Sequence, residues 1–234
     1  MTLDRRASSA AAQHLRRAAA LIELDGLAVL DIGCGSGDFL KLLLAEGADA
    51  HGLEVEAATV ERAIQAGIEP SRVALGDGRT LPFPDASFDL VTFVYSFHHV
   101  PVQQHRELLA ECARVLRPKG RILVFEPRPY GEMTEIVQPI EDETEVRTAA
   151  QALLSGPPHP FVGGFVGEYQ VVRDYGDADT LVRGLVAVDA NRAIRAADPA
   201  VRGEVERRFL TTGRTTAFGR QIAQPTAIFL LERQ

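Results

Sequence analysis

The chain predicts an α/β fold: a doubly wound, mostly parallel sheet with helices on both faces. Three observations lead there. Short apolar runs alternate with helical patterns between residues 28 and 125. Those runs are apolar at almost every position, as strands buried on both faces must be. The intervening segments are long enough to be helical crossovers, and such crossovers are right-handed.

The elements follow in order. Residues 1–25 read as a helix, with Leu15, Ala18, Ala19 and Ile22 at helical spacing. Residues 28–32 are the first buried strand. Residues 38–46 (DFLKLLLAE) are helical and stop at Gly47. Residues 50–55 read as a strand, and 57–66 as a helix closed by Gly67. Residues 73–75 form a short strand and 88–94 (FDLVTFV) a stronger one. Residues 103–116 are a helix ended by Pro118 and Gly120, and 121–125 (RILVF) are a strand. Beyond Glu126 the pattern loosens. Residues 133–154 read as one long helix with an acidic stretch at 141–145. Residues 155–167, rich in Gly, Pro and aromatics, read as a loop. Residues 168–175 read as a strand, 179–189 and 199–210 as helices, and 226–231 (TAIFLL) as the last strand.

Composition narrows the function classes. The 234 residues are 46% hydrophobic and 24% charged, an ordinary globular balance that argues against disorder. A single domain spanning 1–234 is expected. The net charge of −7 gives no basic excess for phosphates, so nucleic acid is not the expected partner. Two cysteines, Cys34 and Cys112, exclude a disulfide framework or a Cys-rich metal site and suit a reducing compartment. No apolar run reaches the roughly 18 residues of a membrane span. The expected localisation is cytoplasmic.

The chemistry concentrates in residues 29–39, VLDIGCGSGDF. A buried strand runs into Gly33, Gly35 and Gly37, then a helix. Glycines let a backbone turn sharply and approach a ligand with no Cβ between. A dinucleotide fingerprint is Gly-x-Gly-x-x-Gly. Here the spacing is Gly-x-Gly-x-Gly, and Asp38 would repel a pyrophosphate at the helix start. Asp31 lies inside the preceding strand, where an acid is costly unless paired. A ligand ammonium or loop N–H groups would pair it; loop bracing is the alternative. Glu54 lies 17 residues after Gly37, at the end of the next strand and beside the glycine loop. Its carboxylate can accept two vicinal hydroxyls bidentately. Asp77 follows the third strand in an Asp-Gly pair that also favours a turn.

These segments resemble the class I S-adenosylmethionine-dependent methyltransferases, in particular the small-molecule branch of ubiquinone/menaquinone methyltransferases. VLDIGCGSG resembles that family's first motif. Leu53-Glu54, Gly76-Asp77-Gly78 with Leu81-Pro82-Phe83, Phe88–Val91 with Ser96–His99, and Arg114–Pro118 with Gly120 match further motifs in order. The match covers about residues 27–127.

The resemblance implies a Rossmann-like sheet of seven strands with an antiparallel last strand and a helical N-terminal lid over 1–25. It implies a donor-binding core at 27–127, an acceptor-side insertion at 128–176, and completion of the sheet by 177–234. S-adenosyl-L-methionine is the implied cofactor, S-adenosyl-L-homocysteine its product, and a small molecule the acceptor. Cofactor contacts are implied for Asp31, Gly33, Cys34, Gly35, Glu54, Val55, Asp77, Gly78, Tyr95 and Ser96. Within that set Glu54 would take the ribose, Asp77 and Gly78 the adenine, and carbonyls near Tyr95 and Ser96 the methionine ammonium.

A general base is needed only for an acceptor that must lose a proton. His98 is the first candidate, with His99 and His159 behind it. Glu126, at the ligand-side end of the fifth strand, is a further candidate, read in preference as bonding to the Arg128 region or to neighbouring backbone. Phe161, Phe165 and Tyr169 read equally as a lid over an apolar acceptor or as ordinary packing. The acidic run at 141–145 reads as a solvated helix face. His14 and Arg17 could meet the donor's carboxylate. No metal site is expected. The competing classes are an NAD-dependent oxidoreductase and a catalytically silent donor-binding protein.

Overall fold

The computed structural model describes residues 9–187 and 190–234. The first eight residues of the helix expected over 1–25 lie outside the described residues, as do the last two of that expected over 179–189. Ser9 caps the first helix, α1 (Ala10–Leu21), by accepting the Ala12 N–H at 3.1 Å. There follow β1 (Ala28–Ile32), α2 (Asp38–Ala45), β2 (Asp49–Glu54), α3 (Ala57–Gln65), β3 (Val73–Leu75), β4 (Phe88–Val94), α4 (His105–Val115) and β5 (Leu116–Pro127). This is the expected alternation. Pairing is parallel throughout: β1 with β2 and β4, β2 with β3, and β4 with β5.

Beyond β5 the chain departs from expectation, first in the long helix and the loop, and later in an added helix at Ala190–Ala196, an added strand at Arg214–Thr216 and a last strand that begins at Gly219. The long helix over 133–154 is two helices, α5 (Glu132–Val137) and α6 (Thr144–Ser155). Pro139 lacks an N–H and cannot continue a helix, and Asp142 restarts one by accepting the Thr144 N–H at 3.0 Å. The loop over 155–167 is largely strand: β6 runs from Phe161 to Tyr175. Helices α7 (Ala178–Val186), α8 (Ala190–Ala196) and α9 (Pro199–Thr211) follow. The short β7 (Arg214–Thr216) then pairs antiparallel with β8 (Gly219–Arg233).

Among the described residues the sheet order is β3-β2-β1-β4-β5-β8-β6. Seven strands lie on this path, as expected, and β7 adds an eighth beside β8. The fold is a Rossmann-like α/β fold with a mostly parallel central sheet flanked by helices.

The chain forms two compact units. The first comprises residues up to Glu126 with Ala149–Glu168 and Ala227–Gln234. Its core gathers Leu30, Leu53, Val91, Phe93, Phe97, Leu108, Val124 and Phe229, all essentially inaccessible to water. Burying such side chains contributes about 1.5–3 kcal/mol each before the entropy of ordering them. The second comprises Pro127–Thr148 and Tyr169–Thr226, with a core of Ile136, Ile140, Leu181, Val182, Val205, Phe209 and Ile222. Here the acidic run is not simply a solvated face. Glu143 accepts from both Arg147 and Arg192, and Arg192 also bonds Glu141. Both arginines are buried.

Candidate functional site

Parallel strands deliver their carboxyl ends to one edge of the sheet, and ligands in such folds sit there. The β1 end supplies the glycine loop. Gly33 and Cys34 both donate to the Leu53 carbonyl, at 2.8 and 3.1 Å, which folds the loop back over β2. The three glycines then differ. A Cβ on Gly33 would lie 2.5 Å from Ser96 Cβ, and one on Gly37 would lie 2.9 Å from Ile68. Those two make room for protein. A Cβ on Gly35 would meet nothing within 4 Å. This glycine presents bare backbone outward, where a ligand can approach. Cys34 points inward: a Cβ on Gly52 would come within 2.6 Å of its sulphur. Burial pushes the Cys34 thiol above its usual range, so it is no nucleophile.

Glu54, at the end of β2, is nearly buried. One oxygen accepts the Gly35 N–H at 3.0 Å; the other accepts those of Val55 at 2.8 Å and Glu56 at 3.2 Å. The carboxylate is thereby fixed at the loop. Val55 is 62% exposed beside it, an apolar surface at the same edge.

Asp31 has a partner that sequence reasoning missed. It stands opposite Thr92 in the β1–β4 register and accepts the Thr92 hydroxyl at 2.8 Å. Burial pushes Asp31 up to about 7, against the Thr92 bond, with the nearby Glu54 charge adding to the rise. The available signal was a lone threonine in the apolar run Leu90–Val94.

Asp77 and Gly78 follow β3. Asp77 accepts the Arg79 N–H at 3.0 Å and meets the Arg79 guanidinium at 3.3 Å. This is the turn that Asp-Gly sequences favour, and the carboxylate is about half exposed. The following segment is anchored from α4. Arg114 donates to the carbonyls of Leu81 and Phe83 and to Asp85, and Glu111 accepts the Leu81 N–H at 2.8 Å.

After β4, Tyr95 holds a left-handed backbone, φ 57°, with its N–H on the Phe125 carbonyl. Ser96 donates its hydroxyl to the Ile32 carbonyl at 2.6 Å, stitching this turn to the glycine loop. His14 of α1 is buried edge-on against the Tyr95 ring, centroids 4.9 Å apart, and beside Phe125. Arg17 lies exposed on the same helix.

Glu126, completely buried at the end of β5, accepts the Phe97 N–H at 3.2 Å and lies 2.6 Å from His98 Nδ1. Its backbone partner was expected; His98 was not. The His99 ring lies 4.2 Å from that of His98, and His159 is exposed elsewhere. Phe161 is a core residue of the first unit, Phe165 is about half exposed with its ring 5.9 Å from that of Phe229, and Tyr169 is buried. The structure thus gathers Asp31, Gly33, Cys34, Gly35, Glu54, Val55, Tyr95 and Ser96 at neighbouring strand ends. Asp77 and Gly78 begin the next segment along the sheet.

Comparison with known proteins agrees. Residues 30–124 match a methyltransferase-domain family model. The chain is 36% identical over 113 residues to a 27-O-demethylrifamycin SV methyltransferase of Amycolatopsis mediterranei, covering 44% of this chain and 41% of that protein. It is 33% identical over 111 residues to a demethylmenaquinone methyltransferase of Thermotoga maritima, covering 47% of each. The chain therefore matches about half the length of these relatives or less. The solved structure of YcgJ from Bacillus subtilis superposes with a TM-score of 0.62 at 20% identity, over 94% of this chain and 97% of that one, a likeness of fold. No helix among the described residues is long and apolar enough to cross a membrane. Residues 30–124, which hold the glycine loop folded onto an acid, are therefore similar to a methyltransferase domain.

Proposed function

We propose that the protein transfers a methyl group from S-adenosyl-L-methionine to a small-molecule acceptor. The observation that carries this reading is Gly35. It is open on its outer side, and its N–H is held by Glu54 Oε2, which keeps a lone pair for a further donor. A side chain at position 35 would fill that cradle, so the residues present fit an adenosyl ligand.

When bound, the sulfonium supplies a methyl group that already carries its own leaving group. The chain then has to bind, orient and deprotonate. Glu54 accepts the two ribose hydroxyls through charge-assisted bonds. Val55 offers apolar surface to the purine, and Asp77 with the Gly78 N–H reads its edge. Asp31 and the carbonyls near Tyr95 and Ser96 receive the ammonium. His98 is the base for an acceptor that must lose a proton. Holding acceptor and methyl in line can supply about 7–11 kcal/mol of the barrier.

Calorimetry with S-adenosylhomocysteine and with NAD tests this. Homocysteine-product binding without NAD binding is expected. NAD binding alone would instead make the protein an oxidoreductase. Binding of the product with no transfer of labelled methyl to any acceptor would make it a silent donor-binding protein.

A further inference from the structure

Among the described residues the sheet ends in β3 on one side and in β6 on the other. An edge strand presents backbone groups that can pair with another strand, and folded proteins guard such edges by shortness, charge or proline. β3 is three residues long, so its length guards it. The second half of β6 carries Glu168, Arg173 and Asp174. The first half, FVGGFVG over 161–167, has neither a charge nor a proline. Phe161 turns into the core of the first unit, but Val162, Phe165 and Val166 are each about half exposed. The Phe165 ring stands T-shaped to that of buried Phe229, so its outer side is held in place before anything meets it. Three half-exposed apolar side chains on one open edge form a patch, unlike apolar residues scattered singly.

The segment is complementary to itself. A second copy laid antiparallel about a two-fold axis through Gly164 sets Gly164 against Gly164, Gly163 against Phe165, Val162 against Val166, and Phe161 against Gly167. Every aromatic ring then faces a glycine, whose bare backbone it covers. The valines face each other, a favourable β-branched pair. Charge agrees with this register. Glu168 falls opposite Pro160 of the other copy and beside the exposed imidazole of His159, and the two Glu168 carboxylates lie at opposite ends of the paired segment. Moving the axis to Phe165 would instead set each Glu168 against Val162.

We propose that the protein forms a two-fold homodimer in which the sheets of two copies join edge to edge through residues 161–167. The same patch serves both copies, as an isologous contact requires, and pairing closes the edge so that assembly stops at two. Seven residues a side fall well short of the roughly 20–30 of a standard interface. The dimer is therefore of the micromolar class, formed and lost with concentration. Sedimentation velocity of the full chain over a concentration series should show monomer passing to dimer with a Kd of about 1–100 μM. Monomer throughout, or growth beyond a dimer, overturns the proposal.

Val166→Lys guards the edge with a charge that the symmetry repeats, and should raise that Kd at least about tenfold. Its melting temperature should stay within about 2 °C, because Val166 is already half in water. An unchanged dimer would mean that the copies meet elsewhere, which overturns the proposal. Cysteine pairing tests the register and needs no charge at the edge, so it decides the matter by itself. The native Cys34 and Cys112 are buried. Opposed Cα atoms in an antiparallel pair lie about 4.5–5.5 Å apart, within disulfide reach. Val162→Cys and Val166→Cys proteins, mixed and oxidised, should therefore crosslink to each other. Neither should crosslink to itself, since like positions lie about 13 Å apart along the strand. Self-crosslinking of either variant, or no crosslinking in the mixture, overturns the register and the dimer with it.

Discussion

Two glycine-rich stretches lie in the first compact unit, and they do opposite things. In GCGSG (33–37) the middle glycine faces open space. In β6, a Cβ on Gly163 would collide with the Leu230 carbonyl, and one on Gly164 would come 2.9 Å from that of Ser155. One stretch is thin so that a ligand can approach; the other is thin so that β6 can lie against neighbouring backbone. Glycine content alone cannot distinguish the two. What faces the missing side chain does.

The largest effect tests the packed stretch. Gly163 has φ 109°, a region that costs an L-residue about 1–3 kcal/mol, and the collision with Leu230 adds to it. Gly163→Ala should lower the melting temperature by at least about 6 °C. A thermal scan showing no change would mean that this strand is not packed as described.

The open stretch should respond in binding rather than stability. Glu54→Gln removes the charge from its hydrogen bonds and should weaken S-adenosylhomocysteine about 100-fold by calorimetry. Gly35→Ala should weaken it about tenfold, because the methyl group occupies the approach. The left-handed backbone at 35 should cost only about 1–2 kcal/mol of stability. If Gly35→Ala melts the fold while Gly163→Ala only weakens the ligand, the contrast is reversed and the site is misplaced.

The smallest effect is protonic. Asp31 is raised from an ordinary 3.8 to about 7 in the fold, so its proton is held more tightly folded than unfolded. Its contribution to stability is full below about pH 4 and is lost as pH rises to about 7. A ligand ammonium lodged beside it favours the ionised form. Binding at pH 6.5 should therefore release a fraction of a proton, read from calorimetric enthalpies in buffers of different ionisation heat. Asp31→Asn should abolish that release.

The same contrast explains what the sequence made legible. The β1–β5 alternation is local: each apolar run is bounded by its own helix stop, and the glycine loop announces the ligand edge. Strand β6 was not legible, since glycines and prolines at 156–167 look like a loop until β8, some 60 residues on, supplies the partner. The break at Pro139 was readable but outweighed by helical spacing on either side. At the site, Asp31, Gly35 and Glu54 fall within one strand–helix–strand unit and could be read together. The Thr92 bond to Asp31 and the Glu126 bond to His98 could not, because both depend on cross-strand register rather than spacing.

Cys34 and Gly52 share a single volume, since a methyl group on the glycine would overlap the sulphur. In a close-packed interior such neighbours cannot grow independently. A lineage that enlarges Gly52 must shrink Cys34, so drift at these two sites is expected to be correlated, a paired signature that a survey of related genes would expose.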